Sequence, residues 1–522
     1  MDVNLKTKKS VLLSSIIFYV LLLALFLFFG DRVGWEGDDV EQLEGIVNFA
    51  YKGKDLVYRY YWQPLTYEVN LGLMNWLDQP KLLFIIPQIL GATNIFILLT
   101  AVYLFAQKRL NIILCFSFLI VFPELFFSGL YYNSTVYAMV PMAIASLFLF
   151  WQKSPLKSIQ LWNNIRYFIL GITLTTAIFF RFDFVLAFPL IWGLMLFDKS
   201  LKQRFKNYGI YAGSSFVLLG IFWLTDIFNP QQLINIAKSH EEGAANWTMA
   251  ESWANLWTIT NLLIWFLLII ALIYFVIQSI KSKQWKPLIL IVSSLIILYP
   301  LPTLTSPKYL IPGIIFLPFI LARMALEIKD KLTKKQFQGI SLTFIALSVC
   351  LQIVSIHILN HIPFIAITPE PTYTATHDGP RVSGAYLTGY NKVRQAQIDS
   401  LHPPIKFARQ MAKALEKPDK NVTAIYLDKD DNIATEQWIW TFSSLYLRLE
   451  GYQVNYYDRD SKIQLSLGDK TVLMEKVPQE TYDSYVTNET QTKLIKVPYF
   501  SRQDPQVFEK IFTDYYQSLE NI

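Results

Sequence analysis

Cysteine is nearly absent: 522 residues carry two, Cys115 and Cys350, and both fall inside apolar runs. No disulfide framework can support the polar parts of the chain, and no Cys/His metal cluster is available. Charge is scarce too, at 16% of residues, while 53% are hydrophobic and 16% aromatic. That balance excludes an ordinary soluble enzyme and fits a polytopic membrane protein. The net charge of +6 does not point to nucleic acid, because the lysines and arginines sit in short segments between apolar spans. There is no glycine-rich phosphate loop, no Ser/His/Asp constellation at a recognisable spacing, no internal repeat and no low-complexity tract.

What is present is a series of apolar spans at about 11–30, 82–106, 110–128, 134–151, 167–180, 184–197, 208–227, 260–280, 287–300, 309–326 and 339–359. Lys6, Lys8 and Lys9 precede the first, which is long enough to cross a bilayer and lacks a small-residue cleavage site, so it reads as a retained helix rather than a signal peptide. With that lysine-rich end inside, the inner loops carry Lys108 and Arg109; Lys153, Lys157 and Arg166; Lys199, Lys202, Arg204 and Lys206; Lys281, Lys283 and Lys286; and Lys329, Lys331, Lys334 and Lys335. The outer connections carry almost none, as the positive-inside rule requires. The spans 167–180 and 184–197 are each short, but basic flanks on both sides demand an even number of passes, so they read as a hairpin with Arg181 and Asp183 near its outer end.

The expected fold is therefore mainly α, a polytopic membrane domain of about eleven transmembrane helices over residues 1–359. An extracytoplasmic α/β domain follows over residues 360–522. Its signals are a linker-like Thr368-Pro-Glu-Pro-Thr, strands at Val422–Leu427, Gln453–Tyr457 and Thr471–Glu475, and an amphipathic helix over Ala434–Leu449. The localisation is a plasma membrane, and the short loops and cysteine-free outer domain favour a bacterial one.

The first outer region, residues 31–81, holds the densest chemistry. Glu36, Asp38 and Asp39 lie just beyond the first span, followed by a helical stripe of Val40, Leu43, Ile46, Val47, Ala50 and Tyr51 that suits a helix lying along the interface. One of the two aspartates as an N-cap, with Glu41 or Gln42 completing a capping box, is the simple reading. A cap needs one acid, however, and here there are three in four residues. Downstream comes Tyr60-Tyr61-Trp62-Gln63-Pro64-Leu65-Thr66-Tyr67.

This layout resembles the GT-C superfamily of integral membrane glycosyltransferases that use polyprenyl-phosphate sugars. The matching residues are Gly37-Asp38-Asp39, the stripe to Tyr51, and the aromatic Gln63-Pro64-Leu65 segment, which is similar to the Lys-Pro-Pro-Leu or His-Pro-Pro-Leu segment of the aminoarabinose and protein-mannosyl branches. Gln63 departs from that pattern, standing where those branches have a cation. Weaker echoes are Tyr131-Tyr-Asn-Ser-Thr-Val-Tyr137, Arg181 in its hairpin, and Lys308-Tyr-Leu-Ile-Pro312.

The resemblance implies transfer from a polyprenyl-phosphate-linked sugar to a cell-envelope glycan, lipid or protein acceptor at the outer face. The acceptor hydroxyl needs a base, and the leaving phosphate needs cations. Asp38 and Asp39, with Glu36 beside them, are the candidate catalytic acids, and a lone acidic cluster suits an inverting displacement. Arg181, Lys308 and Arg59 are the candidate phosphate ligands, and Tyr60, Tyr61, Trp62 and Gln63 the candidate substrate contacts. A divalent metal, Mg or Mn, is the candidate cofactor; membrane lipids are expected partners and nucleic acid is not. Each has a plainer counterpart: Arg181 paired with Asp183, Lys308 snorkelling, the aromatics as an interfacial belt, and His240-Glu241-Glu242 as a solvated loop. The rival function is a polytopic lipid or polysaccharide transporter or flippase, which would carry repeated halves and charges at mid-membrane depth.

Overall fold

The computed structural model describes residues 2–30, 60–77, 85–122, 125–126, 129, 134–151, 158–187, 201–235, 262–283 and 311–356, together with the backbone of seven strands between residues 372 and 497. The first part is helical. Its helices are α1 (Asp2–Gly30), α2 (Pro64–Leu77), α3 (Ile86–Phe105), α4 (Ile112–Ile120), α5 (Ser134–Phe150), α6 (Ile159–Phe180), α7 (Leu201–Leu224), α8 (Leu262–Ser282), α9 (Ile311–Ile314), α10 (Leu317–Lys329) and α11 (Lys334–Ile356). Two 3-10 turns, Tyr60–Trp62 and Phe182–Ala187, sit beside α2 and after α6.

The helices α1, α3, α5, α6 and α7 pack in that succession, and α4 and α10 close against α3. At 29 residues α1 is about 44 Å long, more than a bilayer core. It is apolar on both sides: Leu22 and Phe26 are buried, while Leu13, Ile16, Val20 and Leu21 are exposed. A helix apolar all round has no wet face, and in a membrane the outward row meets lipid. Among the described residues three helices are long and apolar enough to cross a membrane: Ile86–Phe105, Lys202–Leu224 and Ile311–Lys329. Leu13–Leu27, Ser134–Phe150 and Ile269–Lys281 are shorter apolar helices.

Close approach between helices depends on small residues, as expected where hydrophobic sorting between helix and lipid is absent. A Cβ on Gly171 of α6 would collide with Ser214 Oγ and with the Tyr211 carbonyl of α7. Gly91 of α3 faces Gly129 in the same way, with the Phe26 ring against both. At the C-terminal ends of α3 and α5, Phe105 and Phe150 meet Phe319 of α10, with ring centroids 4.3–5.6 Å apart.

Several boundaries differ from the expected spans for local reasons. The span expected at 167–180 begins at Ile159, because Ser158 caps the helix by accepting from the Leu161 N–H at 3.2 Å. Within the span expected at 110–128 a helix runs from Ile112 to Ile120, about 14 Å long, capped by Asn111, and Leu125 and Phe126 are helical again. The proline at 123 disfavours helical geometry at the residue before it, which suits a helix end at this point. The first outer region holds α2, which is absent from the apolar spans because it is short and interrupted by Thr66, Glu68, Asn70 and Asn75; Pro64 opens it at the first helical position. The span at 287–300 and most of 184–197 lie outside the described residues.

The two ends of the bundle differ in chemistry. At one end Arg109 pairs with Asp330, Lys329 donates to the Arg109 carbonyl, and Arg166 donates to the carbonyls of Phe148 and Leu149 at 2.7 and 2.6 Å, closing the C-terminus of α5. These are loops that the charge pattern assigns to one side. At the other end α2, the start of α5 and the end of α6 converge.

In the C-terminal part β1 (Thr372–Thr376) and β2 (Gly379–Ser383) form an antiparallel pair, with Thr376 opposite Gly379. A five-stranded mixed sheet contains β3 (Asn421–Leu427), β4 (Gln453–Asn455), β5 (Ile463–Leu467), β6 (Lys470–Val477) and β7 (Thr492–Val497) in the order β4-β5-β6-β3-β7. Strand β3 is parallel to both β6 and β7, and β4, β5 and β6 form an antiparallel meander. The strands expected near 422, 453 and 471 coincide with β3, β4 and β6; the helix expected over Ala434–Leu449 lies outside the described residues.

Candidate active site

The site forms where α6 ends. Arg181 follows its last helical residue and takes extended backbone geometry, φ −160° and ψ 118°, while its N–H still donates to the Ala177 carbonyl. The side chain is 4% exposed. Its Nε donates to Asp183 Oδ2 at 2.6 Å, and its Nη1 donates to Thr135 Oγ1 at 2.9 Å and to Ser134 Oγ at 3.3 Å. Both hydroxyls belong to the first two residues of α5, and both are fully buried. Burying a guanidinium is costly unless it is paired and hydrogen-bonded, and here it is both. The pairing with Asp183 foreseen as the plainer reading therefore exists, and it leaves the fork aligned by residues from a second helix.

The Tyr-Asn-Ser-Thr stretch, a weak echo in the sequence, thus supplies part of the arginine cradle through Ser134 and Thr135. Residues Tyr131, Tyr132 and Asn133 lie outside the described residues. So do Glu36, Asp38, Asp39, Arg59 and Lys308, the Val40–Tyr51 stripe and His240-Glu241-Glu242.

All four candidate substrate contacts are described. Tyr60 is buried and donates its hydroxyl to Glu68 Oε1 at 2.5 Å, an acid of α2 that the sequence pattern does not single out. Burial first, and then the hydrogen bond to Glu68, push the Tyr60 phenol well above its ordinary range, so it stays protonated and acts as a donor. Tyr61 stands edge-on to Tyr60, with centroids 5.0 Å apart. Trp62 packs on Phe182 at 5.1 Å, linking the aromatic segment to the arginine turn. Gln63 is 2% exposed, and its backbone bridges the 3-10 turn to α2 through Tyr60 and Thr66. The structure therefore brings the Tyr60–Gln63 segment and Arg181 to one place.

An apolar cavity of about 340 Å³ opens beside them. Tyr61, Trp62, Pro64, Phe179 and Phe182 form one wall, and Ala212, Phe216 and Leu219 of α7 form the other. Its lining is hydrocarbon and aromatic, so it suits an apolar chain better than a sugar. Among the described residues no three His, Cys, Asp or Glu side chains converge as a metal site. The acidic cluster Glu36, Asp38 and Asp39 lies outside the described residues.

No protein-family model and no curated protein matches the sequence. Two solved structures share the fold. The crystal structure of ArnT from Cupriavidus metallidurans bound to undecaprenyl phosphate superposes with a TM-score of 0.54 at 14% identity, over 83% of this chain and 84% of that one. The structure of the same protein in the apo state gives 0.52 at 13% identity, with the same coverage. The chain thus shares the fold of ArnT, and its helical part agrees with the mainly α membrane architecture expected from the sequence.

Proposed function

We propose that the protein is a membrane glycosyltransferase that moves a sugar from a polyprenyl-phosphate donor to an acceptor at the outer face of the membrane. The observation that carries this reading is the union of a buried, oriented guanidinium with an apolar cavity, on the fold of a protein solved with undecaprenyl phosphate bound. A polyprenyl phosphate has a charged head and a long hydrocarbon tail. Arg181 is flanked in the chain by Phe179 and Phe182, both on the cavity wall, so head and tail find complementary chemistry within one turn. Tyr60, Tyr61, Trp62 and Gln63 border the same place and would contact the sugar or its phosphate.

The reaction takes one proton and exchanges one bond. A carboxylate of Asp39 or Asp38 removes the proton from the acceptor hydroxyl; its oxygen attacks the anomeric carbon; the bond from that carbon to the phosphate oxygen breaks, and the polyprenyl phosphate leaves with the electron pair. Attack opposite the leaving group inverts the anomeric centre. Arg181, with Lys308 and Arg59, stabilises the charge growing on the phosphate. Glu36 stands beside the base. The sugar is a hexose or pentose, and the acceptor is a cell-envelope glycan, lipid or protein.

On this reading residues 1–359 form the transferase domain of about eleven spans in a bacterial plasma membrane. The N-terminus is cytoplasmic, and residues 360–522 form an extracytoplasmic α/β domain. The decisive variants are Asp38→Asn and Asp39→Asn, assayed with a lipid-linked sugar in membranes. Asn keeps the size and the capping oxygen but cannot take a proton, so one of the two, with Asp39 favoured, loses about a hundred- to ten-thousand-fold in rate while melting normally. Wild-type rates in both variants would remove the base from the mechanism and the main support from the reading.

A further inference from the structure

The turn that carries Arg181 is held by more than the arginine's own contacts. Thr66 of α2 donates its hydroxyl to the carbonyl of Phe180 at 2.8 Å. That carbonyl belongs to the last residue of α6, one of the terminal acceptors that no N–H of the same helix can reach. One turn along α2, Asn70 donates Nδ2 to the Thr66 carbonyl at 2.6 Å and accepts the Tyr137 hydroxyl at Oδ1, 2.7 Å away. Tyr137 lies in the first turn of α5, the turn whose Ser134 and Thr135 accept from Arg181.

The bonds close a circuit among three helices. α2 grips the backbone just before Arg181, α5 grips the guanidinium, and Tyr137–Asn70 ties α2 to α5. Thr66, Asn70 and Tyr137 are 1%, 0% and 2% exposed. The Tyr137 ring also lies against that of Phe180, with centroids 6.0 Å apart.

Asp183 cannot do this job. It sits two residues from Arg181 on the same stretch of chain, so it orients the side chain but does not itself tie it to α2 or α5. Contacts from other helices fix where the guanidinium stands: among the described residues α5 accepts from it and α2 holds the carbonyl just before it. Helix association alone does not require them either, since the neighbouring α6–α7 contact is made by Gly171 against two serines.

We propose that Thr66, Asn70 and Tyr137 are positioning residues for Arg181. They hold the end of α6 at the height on α5 where the arginine fork faces the phosphate of the donor lipid. The inference rests on the reading of Arg181 as a phosphate ligand. A planar fork recognises phosphate only in register, and a displacement of about 1 Å near a reacting group can cost about a hundredfold.

The test uses the full chain in lipid nanodiscs and undecaprenyl phosphate alone as the probe, with affinity measured by titration and folding by thermal melting. Thr66→Val and Tyr137→Phe, which remove one hydroxyl each, weaken binding by about five- to thirtyfold, and Thr66→Ser restores it. In an Arg181→Ala background Thr66→Val weakens binding no further, because the residue acts through the arginine. Equal weakening by Thr66→Val with and without Arg181 overturns the proposal, as does a Thr66→Val or Tyr137→Phe protein that binds like wild type. If Thr66→Val fails to fold, Tyr137→Phe and its double variant with Arg181→Ala decide by the same criteria. Normal binding by Thr66→Val beside defective binding by Arg181→Ala sinks this inference alone; a wild-type protein that ignores the probe sinks the donor reading and this inference together.

Discussion

Replacing Arg181 by alanine tests the buried clamp directly, because the structure states what would be stranded. Asp183 has a side chain 10% exposed, and its Oδ2 lies 2.6 Å from Arg181 Nε; Ser134 and Thr135 are fully buried. Without the guanidinium a nearly buried carboxylate loses its counter-charge and two hydroxyls lose a donor. Removing one partner of a buried pair costs about 3–5 kcal/mol, most of it the uncompensated charge that remains. Arg181→Ala is therefore expected to destabilise by that amount in a mixed-micelle unfolding titration. Asp183→Ala combined with Arg181→Ala removes the stranded charge as well, so the double variant should be more stable than the sum of the single losses by roughly 0.5–3 kcal/mol. Arg181→Lys keeps the charge but cannot reach Asp183 and the two hydroxyls with one planar group, and should fall between wild type and alanine. Donor affinity should drop in step, by about 1.5–3 kcal/mol for the lost charge-assisted contact, roughly ten- to a hundredfold. Additive single losses, or an alanine variant as stable as wild type, would show that the pair is solvated and refute the reasoning.

Other consequences are as direct. In a Cys350→Ser background, needed because Cys350 is the exposed thiol, cysteines at Ser400 and Lys334 should react with an impermeant reagent from opposite sides of the membrane; equal labelling from outside would defeat the orientation and with it the outer site. Gly171→Ala should destabilise by about 1–3 kcal/mol, since its methyl would meet the Tyr211 carbonyl as well as the Ser214 hydroxyl, and unchanged melting would show that α6 and α7 stand further apart. Tyr60 keeps its proton in the folded protein at a pH where the unfolded chain begins to lose it, near the ordinary value of 10.0, so the folded state binds more protons and stability falls as pH rises past that point. Tyr60→Phe should flatten that alkaline loss, and an identical alkaline profile for the two proteins would contradict the burial of the phenol.

The sequence by itself determined a good deal of this. Runs of apolar residues long enough to cross a bilayer are set by composition, because lipid accepts only segments that satisfy their own backbone and hide their polarity. Charge asymmetry between loops sorted the connections into two groups, and the structure joins members of one group through Arg109 and Asp330. Helix starts escaped the apolar windows wherever the first turns were polar, as at Ile159, although Ser158 carried a capping signal. What only the tertiary structure decided was who meets whom at the end of α6. Ser134 and Thr135 lie 47 and 46 residues from Arg181, and Thr66 lies 114 from Phe180. Periodicity says which face of a helix is apolar, but a hydrogen bond between helices depends on their relative height and rotation. Those are fixed by close packing at residues such as Gly171, and they exist only once the bundle has assembled.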